Sequence, residues 1–512
     1  MAARLISQAL ALEIMLSGES ILLTGPAGAG KTYVLNQFVR LAKHEGRHVS
    51  ITATTGLAAT HLGGTTIHSW AGIGVGDYLH PGSVEQLAKG RREIIEKTDV
   101  LVIDEISMLH DFRLDMVDEV CRAVRKEPDL PFGGIQVIMS GDFFQLPPIN
   151  RGDSRAGSFV VNSNVWRELD PVICYLDEQH RQDDEVLIDI LNALRDGDIR
   201  QHHAQALLAR TEVYPDDLEQ LTELHTVNVD VDSMNEAKLR LIDSDEIAYE
   251  QSSTGGANYV ESLQRSVLAP KVLRLKLGAL VMAVKNSPER KYVNGSIGTV
   301  VEFEQHTEYP VVKFQNGKEV TMNPDTWELR DGDKKRASIS QIPLRLAWAI
   351  TIHKSQGMTL DATRIDLRKA FVEGMGYVAL SRVKNVNNLY LTGINQMALR
   401  VSEEARRIDG ELRSNALVAA KRFAHLEAVA AERSTKPLAK PAKQGSGWAD
   451  KIEKMRETYP NAYRPWTKSQ DDQLKQSFQQ GASLKELSTQ LGRHEGSVKM
   501  RLQKHFGEDT IE

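Results

Sequence analysis

The sequence predicts an α/β protein of two doubly wound units, with a small insertion in the first, a β-barrel insertion in the second and a C-terminal all-α helix-turn-helix module. Three observations carry this reading. An apolar strand, a glycine loop and a helix succeed one another over residues 21–39. A second apolar run ends in paired carboxylates at Asp104 and Glu105. Strand-like and helical patterns alternate from about residue 20 to 160 and again from about 172 to 390.

The loop is Gly25-Pro26-Ala27-Gly28-Ala29-Gly30-Lys31-Thr32, which fits G-x-x-x-x-G-K-[ST] between the run Ile21-Leu22-Leu23 and the helical stretch Tyr33 to Val39. In that context the glycines let backbone N–H groups curl around phosphates, and the helix N-terminus adds its positive end. Lys31 reaches the β- and γ-phosphates, and Thr32 offers a hydroxyl to a magnesium ion. The run Asp99 to Glu105 supplies the other half of the site. Asp104 holds the magnesium in this reading, and Glu105 orients and polarises the attacking water. A third strand, Ile135 to Ser140, leads into Gly141-Asp142-Phe143-Phe144-Gln145-Leu146-Pro147-Pro148, where Gln145 is placed to touch the γ-phosphate.

A chain of 512 residues is too long for one core, so several domains are expected. The net charge of −6 gives no overall pull toward nucleic acid, and any such binding must come from a local groove. The two cysteines, Cys121 and Cys174, lack metal-ligand spacing or a disulfide framework, which suits a reducing interior. No secretory core or membrane-length run is present, and a cytoplasmic, nucleoid-associated protein of bacterial or phage type is expected. The His202-His203 pair reads as an exposed loop feature rather than a metal site.

The expected organisation runs as follows. A first α/β unit spans 1–165, with an insertion at 72–96 that contains Gly72-Ile73-Gly74 and a short charged helix. A second unit spans 166–268 and 345–400. Asn294-Gly295 and Asn316-Gly317 between β-rich runs mark hairpins, and they place a β-barrel over 269–344. A charged helical extension covers 401–433, a flexible basic linker 434–448, and a helical module 449–512.

Several further segments resemble a family. Thr52 to Ala59 and Gly63 to Trp70 are similar to the single-strand-contacting motif of superfamily-one helicases of the petite-integration-frequency (PIF) type, relatives of the RecD helicases. Asp104 to Leu109, Gly141 to Pro148, Leu176 to Gln182, Ala349 to Thr359 and Tyr377 to Arg382 match further motifs in order. Asp115 to Arg125, ahead of Pro131-Phe132-Gly133-Gly134, resembles the segment that sets PIF-type enzymes apart. The resemblance covers roughly residues 5 to 395, and it departs at Met375, where relatives commonly carry a glutamine.

The resemblance implies two RecA-like P-loop domains that clamp ATP and Mg2+ between them, with Arg181 and Arg382 reaching across from the second domain. A guanidinium there is worth ~10³–10⁵ in rate in other NTPases. Gln8 sits where relatives read the adenine edge, and Gln356 joins the nucleotide-binding set. Thr55, Gly56, His68, Phe143, Pro147, Asn228, His353 and Lys354 are the candidates for a single-stranded DNA groove. Hydroxyls, backbone N–H groups and Lys354 suit phosphates, while His68, Phe143 and His353 offer flat faces to bases. Phe143 equally suits the core, and His353 equally suits a backbone carbonyl.

The expected function is a 5′-to-3′ DNA helicase acting on single-stranded and forked duplex DNA in repair, recombination or replication. The 72–96 insertion is the expected wedge. Alternatives are a translocase that strips proteins or moves junctions, and an ATP-gated binding scaffold. In the C-terminal module, the helical spacing of Leu484 to Arg493 and Glu495 to Lys504, with Gly492 at the turn, also resembles Myb-type or SANT-type domains. Trp466 reads as core there. Lys499, Arg501 and Lys504 suit duplex phosphates or a solvated face, and the module's partner is expected to be duplex DNA or a protein.

Overall fold

The computed structural model describes residues 5–506 except 75–76, 81, 149, 151–154, 180, 183, 215–220, 288–290, 293, 332–333, 436–457 and 462–467. The chain divides into two units, Met1–Ser434 and Thr435–Glu512. Among the described residues no helix is long and apolar enough to cross a membrane.

In the larger unit, β1 (Ile21–Thr24), β2 (Val49–Ala53), β3 (Thr65–Thr66), β4 (Val100–Asp104), β5 (Gln136–Gly141) and β6 (Val172–Tyr175) form one sheet in the order β3-β2-β4-β5-β1-β6. All of its ladders are parallel. Such a sheet is covered on both faces, so it calls for unbroken apolar runs, and Ile21 to Leu23 and Val100 to Ile103 are all buried. The parallel order also gathers the carboxyl ends of β1, β4 and β5 on one edge. That edge carries the glycine loop, Asp104 and Gly141.

The strand β6 corrects the expected boundary at 165, because Val172 pairs with Ile21 and Tyr175 with Thr24 inside the first sheet. A short apolar strand does not name its partner, and the alternation that seemed to open a second unit at 172 closes the first. The second sheet follows later, with β7 (Thr222–His225), β8 (Ala349–Thr351), β9 (Thr363–Leu367) and β10 (Leu389–Ile394) in the order β8-β7-β9-β10. It too is parallel throughout.

Between β7 and β8 the β-rich insertion begins at Glu246 rather than 269. It consists of separate two-, three- and five-stranded antiparallel sheets. The five-stranded sheet has open edges at Glu319–Thr321 and Leu344–Leu346. No ladder closes it into the expected barrel among the described residues. The Asn316-Gly317 signal holds locally: Gly317 has φ 79° and turns Pro310–Phe314 back onto Glu319–Thr321.

The 72–96 segment is also less of an excursion than its composition suggested. Helix Lys89–Lys97 leads directly into β4 and buries Ile95. The Arg125 guanidinium donates to the carbonyls of Ile95, Glu96 and Thr98 at 3.3, 2.9 and 3.0 Å. After β10, helix Glu403–Arg422 starts at a Ser402 cap. It buries Ala405, Ile408, Leu412, Ala416 and Ala419 at helical spacing, with Tyr175 of β6 bonded to its Asp409 at 2.7 Å. Arg422 reaches Glu19 at 3.0 Å and Arg433 pairs with the buried Glu13, so the helical extension is bound to the first lobe.

The smaller unit holds helices Lys468–Gln479, Leu484–Leu491 and Glu495–Phe506 around Leu474, Leu487, Leu491, Val498 and Leu502. Ser483 and Glu486 form a capping box, and Gly492 at φ 59° ends the middle helix. Arg501 is engaged within this bundle, bonding Asp471 at 2.8 and 2.5 Å, which counts against its expected role on DNA phosphates. Lys499 is half-buried, while Trp466 and the Lys504 side chain lie outside the described residues.

The Arg501 bond holds the Asp471 carboxyl down at about 2. A carboxyl depressed in the folded state adds stability above its ordinary range and loses it as pH falls toward the folded value. Asp471→Asn should therefore speed hydrogen exchange in Lys468–Gln479 and Glu495–Phe506 at pH 7. The difference from the unmodified chain should shrink as pH drops from about 4 toward 2. Equal exchange in the two proteins at pH 7 would show the pair to be ornamental.

Candidate functional site

The glycine loop owes its shape to backbone that few other residues adopt. Gly25, Gly28 and Gly30 have φ 140°, 92° and 84°. A Cβ on Gly25 would lie 2.1 Å from the Leu176 carbonyl oxygen, and one on Gly28 would lie 2.7 Å from Cβ of Arg181. Gly30 caps helix Lys31–His44, which starts the helix with its N–H groups at the loop. Lys31 Nζ donates to the Gly25 and Pro26 carbonyls at 2.8 and 3.0 Å, and Thr32 is exposed on the first turn. Gln8 opens helix Gln8–Leu16 and donates from Nε2 to the Ala29 carbonyl at 3.1 Å, which places it against the loop.

The two carboxylates follow from the end of β4. Glu105 sits at φ 54°, unusual for a residue with a side chain, and Thr54 Oγ1 donates to its carbonyl at 2.9 Å. Burial pushes the Asp104 carboxyl above the ordinary range, opposed by a bond from Ser140. Burial and then the Asp104 charge push Glu105 up as well, against Lys31, Gln356 and Arg382. Burial drives Lys31 below the lysine range, while Asp142 and Glu105 pull it back. Gln356 Nε2 bonds Glu105 Oε2 at 2.9 Å and Gln145 Oε1 at 3.1 Å, so the two glutamines and the acid form one chain across the two lobes.

Both arginines arrive at this seam. A cavity of about 530 Å³ is lined by Lys31, Thr32, Glu105, Gln145, Arg181 and Arg382, together with Ala27, Gly28 and Gly30 of the loop. Arg181 donates to the Ser381 carbonyl at 3.2 Å, and burial lowers its proton affinity. Arg382 is 1% exposed and donates to the carbonyls of Val378, Ser355 and Met358 and to Ser381 Oγ at 2.8 to 3.3 Å. Its planar fork is thus held rigidly at the cavity edge.

The nucleic-acid candidates are more scattered. Gly56 borders a cavity of about 330 Å³ with Thr66, Ser69, Lys285 and Trp327, between the first lobe and the insertion. Thr55 Oγ1 accepts from Ala58 N–H at 3.2 Å, capping helix Gly56–His61. His68 is half-buried, and burial followed by Arg113 lowers it to about 4, so it is neutral at pH 7. Pro147, His353 and Lys354 are half-buried, and burial lowers the proton affinity of the last two. The Asn228 side chain lies outside the described residues. Phe143 is corrected: it is 3% exposed and edge-on to Phe159 at 5.4 Å, which makes it core.

His202 and His203 are corrected too, since they stand on the first turn of helix Gln201–Ala209 rather than on a loop. His203 Nδ1 accepts from Arg200 N–H at 3.0 Å, so the neutral ring carries its proton on Nε2, 2.9 Å from Asp189. That ring has no free lone pair for a metal.

The residues that sequence reasoning passed over are Asp142, Tyr175, Arg195 and Asp409, which meet Tyr377 in a buried network. Asp142 and Tyr377 lie in motifs already singled out, but Arg195 has no signal beyond a position on an amphipathic helix, where a charge reads as solvent-facing.

Residues 3–205 match the PIF1-like helicase family, and residues 258–303 match the 2B domain of DNA helicase Pif1. The ATP-dependent DNA helicase Pif1 of Psychrobacter sp. is 38% identical over 82% of this chain and 72% of its own length. The ATP-dependent DNA helicase PIF1 of Xenopus laevis is 38% identical over 77% of this chain, which spans 62% of that relative. The crystal structure of a Bacteroides Pif1 helicase in complex with ADP-AlF3 and ssDNA superposes with a TM-score of 0.56 at 30% identity, covering 80% of this chain and 96% of that one. On these matches and on the shared parallel-sheet core, this chain belongs to the PIF1-like helicase family.

Proposed function

We propose that this chain is an ATP-dependent DNA helicase that moves 5′ to 3′ along single-stranded DNA and opens duplex at forks. The observation that carries the reading is the shared cavity: Lys31 and Glu105 of the first lobe face Arg181 and Arg382 of the second. A triphosphate in that cavity would lie on the loop amides and Lys31, with both guanidinium groups against the γ-phosphoryl oxygens. Glu105, whose proton affinity burial raises, would take a proton from the attacking water, and Gln145 and Gln356 would fix its orientation.

Thr32 and Asp104 offer hard oxygen donors that fit Mg2+, and the Asp104 carboxyl, raised by burial, would have its charged form stabilised by a divalent cation. Bound there, the ion would neutralise charge on the β- and γ-oxygens. Closure on ATP and opening after hydrolysis would then advance a grip formed by Thr55, Gly56, His68, Pro147, Asn228, His353 and Lys354. The 72–96 segment is the wedge in this reading. The C-terminal helices are a helix-turn-helix module offered to duplex DNA or a protein. The setting is cytoplasmic and nucleoid-associated, in repair, recombination or replication.

Lys31→Ala should lower ATP turnover by at least ~10²-fold, and Glu105→Gln should lower it comparably while ATP binding persists. Malachite-green turnover beside fluorescent-nucleotide titration separates the two effects. Full turnover in the Lys31 variant would remove the site.

Fork substrates should be unwound when they carry a 5′ tail and left intact when they carry only a 3′ tail; the reverse preference would overturn the polarity. Raising salt from 50 to 200 mM should weaken single-strand binding steeply, by ~3 × 10²-fold if about six phosphates are contacted. Fluorescence anisotropy reads this out, and a flat salt dependence would contradict a phosphate-gripping groove.

A further inference from the structure

The seam holds a second set of buried polar groups beside the cavity. Tyr377, on helix Met375–Leu380 of the second lobe, points its hydroxyl at the glycine loop of the first, and the Ala27 backbone N–H donates to it at 3.0 Å. The same hydroxyl donates to Asp142 Oδ2 at 3.0 Å and accepts from Arg195 at 3.0 Å. A phenol has one proton and two lone pairs, so Tyr377 is saturated by these three partners. Arg195 ends helix Glu185–Asp196 and is 3% exposed.

Its guanidinium enters a socket made largely by the first lobe and the extension bound to it. There it bonds Asp142 at 2.9 and 3.0 Å, Tyr175 at 2.8 Å and Asp409 at 3.0 Å, with its carbon 4.2 Å from the centre of the Phe144 ring. Burial works against the Asp142 charge, but Arg195 and Lys31 outweigh it and hold the carboxyl below the ordinary range. Unpairing any one member would leave a charge or an amide dry and unsatisfied, so the set favours one arrangement of the lobes.

Ala27 also lines the nucleotide cavity. We infer that Tyr377, held by Arg195 and Asp142, is a positioning residue that fixes the Ala27 amide and so couples the docking of the second lobe to the shape of the glycine loop. The inference rests on the ATP-hydrolysing reading for its consequence in turnover but not for its effect on the loop. With the second lobe docked, the Ala27 N–H is held by the tyrosine and the loop is ordered. When the lobe withdraws, that amide loses its partner and the loop loosens.

The test is Tyr377→Phe in the full chain, which removes one oxygen and keeps the ring. Hydrogen–deuterium exchange without nucleotide should be roughly tenfold faster in peptides covering Gly25 to Thr32, with peptides over β4 and β5 unchanged. Single-strand-stimulated kcat should fall about tenfold while the affinity for a fluorescent ATP analogue changes less than about threefold. Unchanged exchange in the loop overturns the latch whatever the turnover.

A wild-type chain that does not hydrolyse ATP overturns the proposed function, and the exchange result still judges the latch. Should Tyr377→Phe loosen every peptide, Arg195→Lys makes the same comparison, since it keeps a cation in the socket but gives up the fork. Uniform loosening in both variants counts against a specific hold on the loop.

Discussion

Charge buried between two lobes is the constraint around which this molecule is arranged. Lys31, Arg181, Arg195 and Arg382 meet Asp104, Glu105 and Asp142 at one seam, and burial acts on every one of these groups. An unpaired charge there would cost several kcal/mol, roughly the whole margin by which a domain stays folded. The seam is stable only while the lobes supply one another's partners. Burial raises the proton affinity of Asp104 and Glu105 there in spite of the nearby cations.

The compensation divides into two sets with different freedoms. Arg195 meets both Asp142 oxygens through one guanidinium nitrogen and is further bonded by Asp409 and the two tyrosines, so its charge is settled within the protein. Arg181 and Arg382 are held by backbone carbonyls and, for Arg382, by Ser381 Oγ; among the described residues neither hydrogen-bonds a carboxylate. A carbonyl orients a guanidinium without cancelling its charge. The first set therefore locates the lobes, and the second brings to the cavity positive charge that Glu105 opposes through space without a direct bond, the property needed to stabilise a phosphoryl group in transfer.

What the sequence disclosed follows the same division between near and far. The glycine loop was legible because its geometry is local: Gly25, Gly28 and Gly30 take positive φ within a few residues of the strand and helix that frame them. The acids at Asp104 and Glu105 were legible because a carboxylate after a buried strand has few other uses beside a phosphate loop. Phe143 was misplaced because an aromatic ring suits a base or a core equally, and Phe159 decides between them from another segment.

The β6 boundary, the burial of Arg195 and the Ala27–Tyr377 bond all depend on pairings hundreds of residues apart or on a partner strand that composition does not mark. Arg501 failed as a DNA contact for the same reason, since helical spacing placed it on a basic face without revealing Asp471 opposite.

The extension after β10 packs across to the first lobe. Helix Glu403–Arg422 leaves the second sheet yet lies on β6 of the first, and Asp409 from its middle accepts both Tyr175 and Arg195. Arg413 one turn on pairs with the same Asp409 at 2.7 Å and lies over the Tyr175 ring. Chain that belongs by sequence to one lobe is thus bound by packing to the other. Separating the two lobes would therefore also require breaking the Asp409 bonds to Tyr175 and Arg195. The segment from Val401 to Arg433 thus belongs with the two lobes rather than with the linker that follows.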